Sequence, residues 1–214
     1  MHFHDTTVAR PALTPRLLEQ AGLGAFFRPR DLDPLGIGPA QLRQLAADGV
    51  VERISRGLYH LTDAEATEHH TLAAVCARVP EAVLCLLTAL RYHELGSQLP
   101  REAWIGIARN ARAPHVPELP IRVVRFNAAQ LQYGIDELRL EGVPARITNP
   151  ARTVVDCFHP WKLRLVGKDV AIEALREAIH QRKATPDEIA RADEACRTSK
   201  TTSAITPYLE ALSL

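Results

Sequence analysis

The segment Phe26 to Leu61, FFRPRDLDPLGIGPAQLRQLAADGVVERISRGLYHL, decides the fold of this chain. Arg30, Asp31, Leu32 and Leu35 suggest a short helix, and Gly36 behind them can take the positive φ that stops one. Gly38 and Pro39 suit the Ncap and N1 positions of a second helix, because proline lacks only an N–H that would be orphaned there. That helix is expected over Ala40 to Asp48. Leu42, Leu45 and Ala46 fall at i, i+3 and i+4 and form its buried stripe, leaving Gln41, Arg43, Gln44 and Ala47 on the opposite side. Gly49 ends it. Val50 to Ile54 and Leu58 to Leu61 read as strands rich in β-branched and aromatic residues, joined by Ser55, Arg56 and Gly57. Two helices, the turn between them and a small hairpin make the pattern of a winged helix-turn-helix.

A helix of this kind fits the major groove of duplex DNA, about 12 Å wide, where amide and guanidinium groups pair with adenine and guanine edges. Gln41, Arg43 and Gln44 have that chemistry. Arg53, Ser55 and Arg56, carried on the hairpin, are placed to reach phosphates or an adjacent minor groove, with Arg56 foremost. Arg30, on the first helix, completes the candidate DNA-binding set. The same polar residues would serve equally as the solvated face of a small helix, and the segment alone leaves both readings open.

Composition narrows the choice. A chain of 214 residues with 46% hydrophobic content has room for one large or two small globular domains and is neither fibrous nor disordered. Its formal net charge of +1 argues against coating nucleic acid without selectivity, which depends on many basic groups neutralising phosphates. Any nucleic-acid contact must therefore be local. The N-terminal MHFHDTTVARPALTP lacks the basic start and apolar core of a secretory signal, and no apolar run approaches the roughly 18 residues of a membrane span. A cytoplasmic protein with no membrane contact is expected. Cys76, Cys85, Cys157 and Cys196 are scattered without a CxxC pair and read as small buried apolar residues of a reducing compartment.

The polar stretch after the hairpin marks a domain boundary, giving residues 1–62 as the winged helix-turn-helix and 63–214 as a mixed second domain. Glu65 to Val79 and Glu81 to Leu95 read as helices, the second apolar almost throughout. Ala103 to Ala108, Ile121 to Phe126, Glu137 to Leu140 and Pro144 to Ile147 read as short strands. Asn149-Pro150 opens a helix on which Arg152 and Asp156 are one turn apart and can pair. Asp169 is expected to cap a further helix running to about Arg182, and Thr185-Pro186-Asp187-Glu188 has the spacing of a capping box. The fold class is thus α+β: an N-terminal winged helix followed by a mixed α/β domain that ends in helices.

Catalytic constellations are missing. No Asp-x-Lys or Glu-x-Lys occurs, so a magnesium nuclease of that type has no signature, and GxSxG, P-loop and GxGxxG strings are likewise absent. The nine histidines include the pairs His2 and His4, and His69 and His70, but nowhere HxxxH or HExxH, the spacings that put two imidazoles on one helix face. Neither an enzyme, nor a cofactor, nor a metal site is expected.

Four strings together resemble the AbiEi-like family of type IV toxin–antitoxin antitoxins and related transcriptional regulators: FRPRDL, LGIGPAQLRQLAADGVVERISRGLYHL, LLTALRYHELG and GVPARITNPARTVVDCF. Arg56 to Tyr59 and Asn149 to Asp156 are the most family-like pieces. The resemblance implies that the winged helix binds double-stranded promoter DNA and represses the operon, with Ala40 to Asp48 as recognition helix and Val51 to Leu61 as wing. It further implies that the mixed C-terminal domain provides antitoxin activity against a nucleotidyltransferase-like toxin. The alternative is an orphan winged-helix regulator or a protein-interaction module with no cognate toxin.

Overall fold

A computed structural model describes residues 12–64, 66–196 and 205–212, and shows a mixed α+β protein. His2, His4, most of the N-terminal stretch and Glu65 lie outside the described residues. The chain divides into two compact units, Met1–Thr67 with Glu141–Val143, and Glu68–Leu140 with Pro144–Leu214. Among the described residues no helix is long and apolar enough to cross a membrane.

In the first unit, helix α1 (Pro15–Gln20) is capped by Thr14, whose Oγ1 accepts the Leu17 N–H at 3.2 Å. Strand β1 (Phe26–Phe27) follows, then a 3₁₀ helix over Pro29–Leu35, helix α2 (Pro39–Ala47) and strands β2 (Val51–Ser55) and β3 (Leu58–Leu61). The first helix of the motif is 3₁₀ rather than α, and Pro34 lies inside it with no N–H to give to the preceding turn. Gly36 then stops it at φ 70°, with the Ile37 N–H reaching back to the Leu32 carbonyl at 3.3 Å. Gly38 and Pro39 occupy the Ncap and N1 positions of α2, which ends at Ala47 with Asp48 as its cap. The sheet has the order β1-β3-β2, both pairs antiparallel. Leu18, Phe27, Leu32, Ile37, Leu42, Val51 and Leu61 close the core beneath it.

The second unit is built on a five-stranded sheet of order β6-β5-β4-β8-β7, comprising β4 (Val83–Leu84), β5 (Ala103–Ala108), β6 (Ile121–Phe126), β7 (Ile135–Leu140) and β8 (Val143–Thr148). The helices are α3 (His70–Arg78), α4 (Leu86–Tyr92), α5 (Pro150–Phe158), α6 (Pro160–Val166), α7 (Lys168–His180), α8 (Pro186–Cys196) and α9 (Thr206–Leu212). The expected helix Glu81 to Leu95 is not continuous. Val83 and Leu84 form a central strand, with Leu84 paired antiparallel to Ile105 and parallel to Ile147, and the chain turns into α4 only at Leu86. An unbroken apolar run carries no period, so a doubly buried strand and a buried helix look alike in it. Helix α3 starts at His70, later than expected, and α7 is capped by Gly167, with Asp169 in its first turn. The Asn149 cap of α5 and the Thr185–Glu188 capping box form as expected.

Arg152 and Asp156 are indeed a pair, 3.1 Å apart and fully buried, but they are joined by Lys162 of α6, whose Nζ donates to the same carboxylate oxygen at 2.6 Å. Arg152 Nη1 also donates to the carbonyls of Gln130 and Tyr133 at 2.9 and 2.8 Å. Both cations lie over the Phe126 ring, at 5.0 Å for Arg152 and 4.5 Å for Lys162. Burial alone would raise the Asp156 carboxyl, but the Lys162 ammonium and then the Arg152 guanidinium hold it below the ordinary carboxylate range.

Asp156→Asn leaves two buried cations without a counter-charge, so it should cost about 3–5 kcal/mol in denaturant unfolding of the second unit. The depressed acidity fixes the pH dependence. The native contribution of Asp156 is complete above the unfolded carboxyl value near pH 4 and is lost as pH falls through the lower folded value. An acid titration of stability should show this component in the wild type and not in the Asn variant.

Candidate nucleic-acid interface

Helix α2 and the β2/β3 hairpin carry most of the candidate contact residues, and both are held by the same core. Leu42 is buried beneath α2, with Leu45 and Ala46 packed against the core beside it, so the helix cannot rotate without exposing them. Arg43 and Gln44 are consequently exposed, while Gln41 is half-buried. Gln44 is engaged along its own helix, Nε2 donating to Asp48 Oδ1 at 2.8 Å. The Arg43 guanidinium has no ion pair or hydrogen bond among the described residues.

The hairpin is as short as a hairpin can be. Ser55 pairs with Leu58, so only Arg56 and Gly57 form the turn, and Gly57 takes φ 76°. Arg56 is the one long side chain at the tip and is exposed. Arg53 is exposed too, but its Nε donates to the Ser55 carbonyl at 3.3 Å, bracing the strand where the register shifts between Arg53 and Ser55. That irregularity bears on one of the candidate residues. A bulge changes which side of the strand the following side chain occupies, and Ser55, expected at the contact surface, is buried at 9% exposure with no partner for its hydroxyl. Ser55 thus contributes its backbone carbonyl to the wing, not its side chain.

Arg30 is exposed at the start of the 3₁₀ helix, 3.8 Å from Asp31. An ion pair so open to water contributes little, and the guanidinium stays free to exchange partners. Asp31 itself is committed to the local backbone, its Oδ2 accepting the Arg28 N–H at 2.7 Å. What the arrangement offers is a helix face with one free guanidinium and two amides, beside a rigid hairpin that ends in a second free guanidinium.

Helix α2 preceded by a short helix and followed by a two-stranded wing defines the winged helix-turn-helix class. Residues 16–62 match the model of the family described as a transcriptional regulator, AbiEi antitoxin, and the AbiEi-like resemblance read from the sequence is borne out there. No curated protein matches the chain. A solved structure, that of the RV2827C protein from Mycobacterium tuberculosis, is similar over 94% of this chain and 78% of that one, with a TM-score of 0.51 and 16% identity. At that identity the likeness is one of fold.

The four cysteines are free and buried, and burial pushes the Cys76 thiol up to about 12 and also raises Cys85, Cys157 and Cys196, so none is a thiolate at neutral pH.

Gly57→Ala places a Cβ in the left-handed region and should destabilise the first unit by about 1 kcal/mol, read as a lowered denaturation midpoint. Gly57→Asn, which tolerates that region, should lose less.

Proposed function

We propose that this protein is a DNA-binding transcriptional repressor that regulates its own operon through the winged helix and acts as the antitoxin of a type IV toxin–antitoxin pair. The carrying observation is the pairing of α2, with exposed Arg43 and Gln44, and a two-residue wing that ends in exposed Arg56, within the segment that matches the AbiEi transcriptional-regulator family. In this reading α2 enters the major groove, where Arg43 reads guanine and Gln44 and Gln41 read adenine, and Gln44 exchanges its bond to Asp48 for a base edge. Arg56, and Arg30 at the other end of the motif, contact phosphates and set the register. Arg53 stiffens the wing. The C-terminal unit carries the antitoxin activity toward a nucleotidyltransferase-like toxin. The protein acts in the cytoplasm.

The first test is a gel shift on DNA from upstream of the protein's own gene, against random DNA of the same length, titrated with salt. Phosphate contacts predict a negative slope of log K against log salt, whereas flat and weak binding to every sequence would sink the repressor reading and favour a protein-interaction module. Arg43→Ala and Gln44→Ala should reduce the ratio of operator to random affinity. Arg56→Ala should instead weaken both nearly equally, by about 1 kcal/mol. A uniform loss in all three variants would show that α2 does not read bases.

The antitoxin role separates from DNA binding. Substituting Arg43 and Arg56 together should abolish repression of a promoter fusion while leaving cells protected from the neighbouring toxin. Loss of protection in this folded double variant would move the antitoxin activity into the winged helix.

A further inference from the structure

Strands β5 and β6 are parallel, paired from Ala103 with Ile121 to Ala108 with Phe126, so the chain between them must return along the whole length of the ladder. Such a crossover usually runs through a helix. Here residues 109–120 form no helix or strand, and the loop is anchored by buried Val116 and Leu119. Its first part is a built platform. The Arg109 N–H prolongs the ladder to the Phe126 carbonyl at 2.9 Å, and the Ala111 N–H closes a turn onto the Ala108 carbonyl at 3.0 Å. Arg125, reaching over from β6, donates Nη1 to the Ala108 carbonyl at 3.1 Å and also to the Ala111 carbonyl, clamping both ends of that turn.

On this platform Arg109, Asn110 and Arg112 are exposed. Neither the Arg109 nor the Arg112 guanidinium has an ion pair or hydrogen bond among the described residues, and no Asp or Glu occurs anywhere from Ala103 to Pro117. The contrast with the same strand's other arginine is direct. Arg122 is held by Glu102 at 2.8 Å and lies over the Trp104 ring at 4.8 Å. In a chain whose formal net charge is only +1, three guanidinium groups thus gather at the carboxyl ends of β5 and β6 without a carboxylate among them.

We infer that the Arg109–Arg112 turn is a second phosphate-contact site, through which the C-terminal unit holds the backbone of duplex DNA. It rests on the repressor reading, which supplies the duplex, but on none of the residues that reading uses. Guanidinium groups match phosphate oxygens in bidentate geometry, and Asn110 adds an amide donor between them. Because Arg125 already fixes the turn, the two outer arginines are presented with little further backbone ordering, and the contact carries no base selectivity. An acidic protein surface is the competing occupant.

The full-length chain with Arg109→Ala and Arg112→Ala together, titrated with salt on random and promoter duplexes, distinguishes the two. Loss of two phosphate contacts should make the slope of log K against log salt shallower by about 1.8 on both duplexes, at an unchanged operator-to-random ratio. Arg109→Lys with Arg112→Lys should keep the wild-type slope. Arg122→Ala, which removes one positive charge already committed to Glu102, should also keep it. An Ala double variant with the wild-type slope and unfolding midpoint, while Arg56→Ala lowers the slope, would overturn this site alone and assign the turn to an acidic partner. A wild-type protein that binds neither duplex would overturn the repressor reading and this site together.

Discussion

A single ionised carboxylate, buried between two cations, organises the C-terminal unit. Asp156 sits on α5, takes Arg152 from one turn earlier and Lys162 from α6, and through Arg152 reaches the carbonyls of Gln130 and Tyr133. Phe126 of β6 closes the cluster with its ring face. Helix, following helix, sheet edge and connecting loop are therefore tied at one point by charge rather than by shape. Such a cluster adds little net stability over a well-packed apolar one, because three groups must be taken out of water. Its strength is in direction. An apolar side chain tolerates several neighbours, whereas a buried guanidinium with two carbonyls and one carboxylate in reach has one satisfactory position.

The winged helix was legible because its boundaries are chemical. Gly36, Gly38, Pro39 and Gly57 each mark a backbone geometry that other residues reach at a cost, and the apolar period of Leu42, Leu45 and Ala46 fixes which face of α2 is left over. The strands from Ala103 to Ala108 and from Ile121 to Phe126 came through for a related reason, being set off by proline-containing segments. What stayed hidden depends on tertiary partners. Nothing in ARVPEAVLCLLTALRYHELG says that Val83 and Leu84 will be taken into the middle of a sheet, since that choice is made by Ile105 and Ile147. Lys162, six residues beyond Asp156 and past Pro160, gives no local sign that it shares the carboxylate. At the interface, the burial of Ser55 follows from a register shift that composition does not encode.

The near-neutral charge of the chain gains meaning from the structure. Arginines divide into those neutralised in place, such as Arg152 and Arg122, and those left open at defined positions, Arg43 and Arg56 on the first unit and Arg109 and Arg112 on the second. Net charge averages over both kinds and conceals the difference. Long-range attraction to polyanions would be weak in such a molecule, so encounter depends on short-range fit within about a Debye length of the surface.

The two-residue turn of the wing also limits how its reach can change. Lengthening the hairpin by one residue on a strand shifts every side chain beyond it to the other face, which would turn Leu58 outward and Arg56 inward. Only paired additions on both strands keep the faces, and each such step extends the tip by about 7 Å. Wing length is therefore stepped, and between steps the tip of the wing varies chiefly through the identity of the residue at position 56.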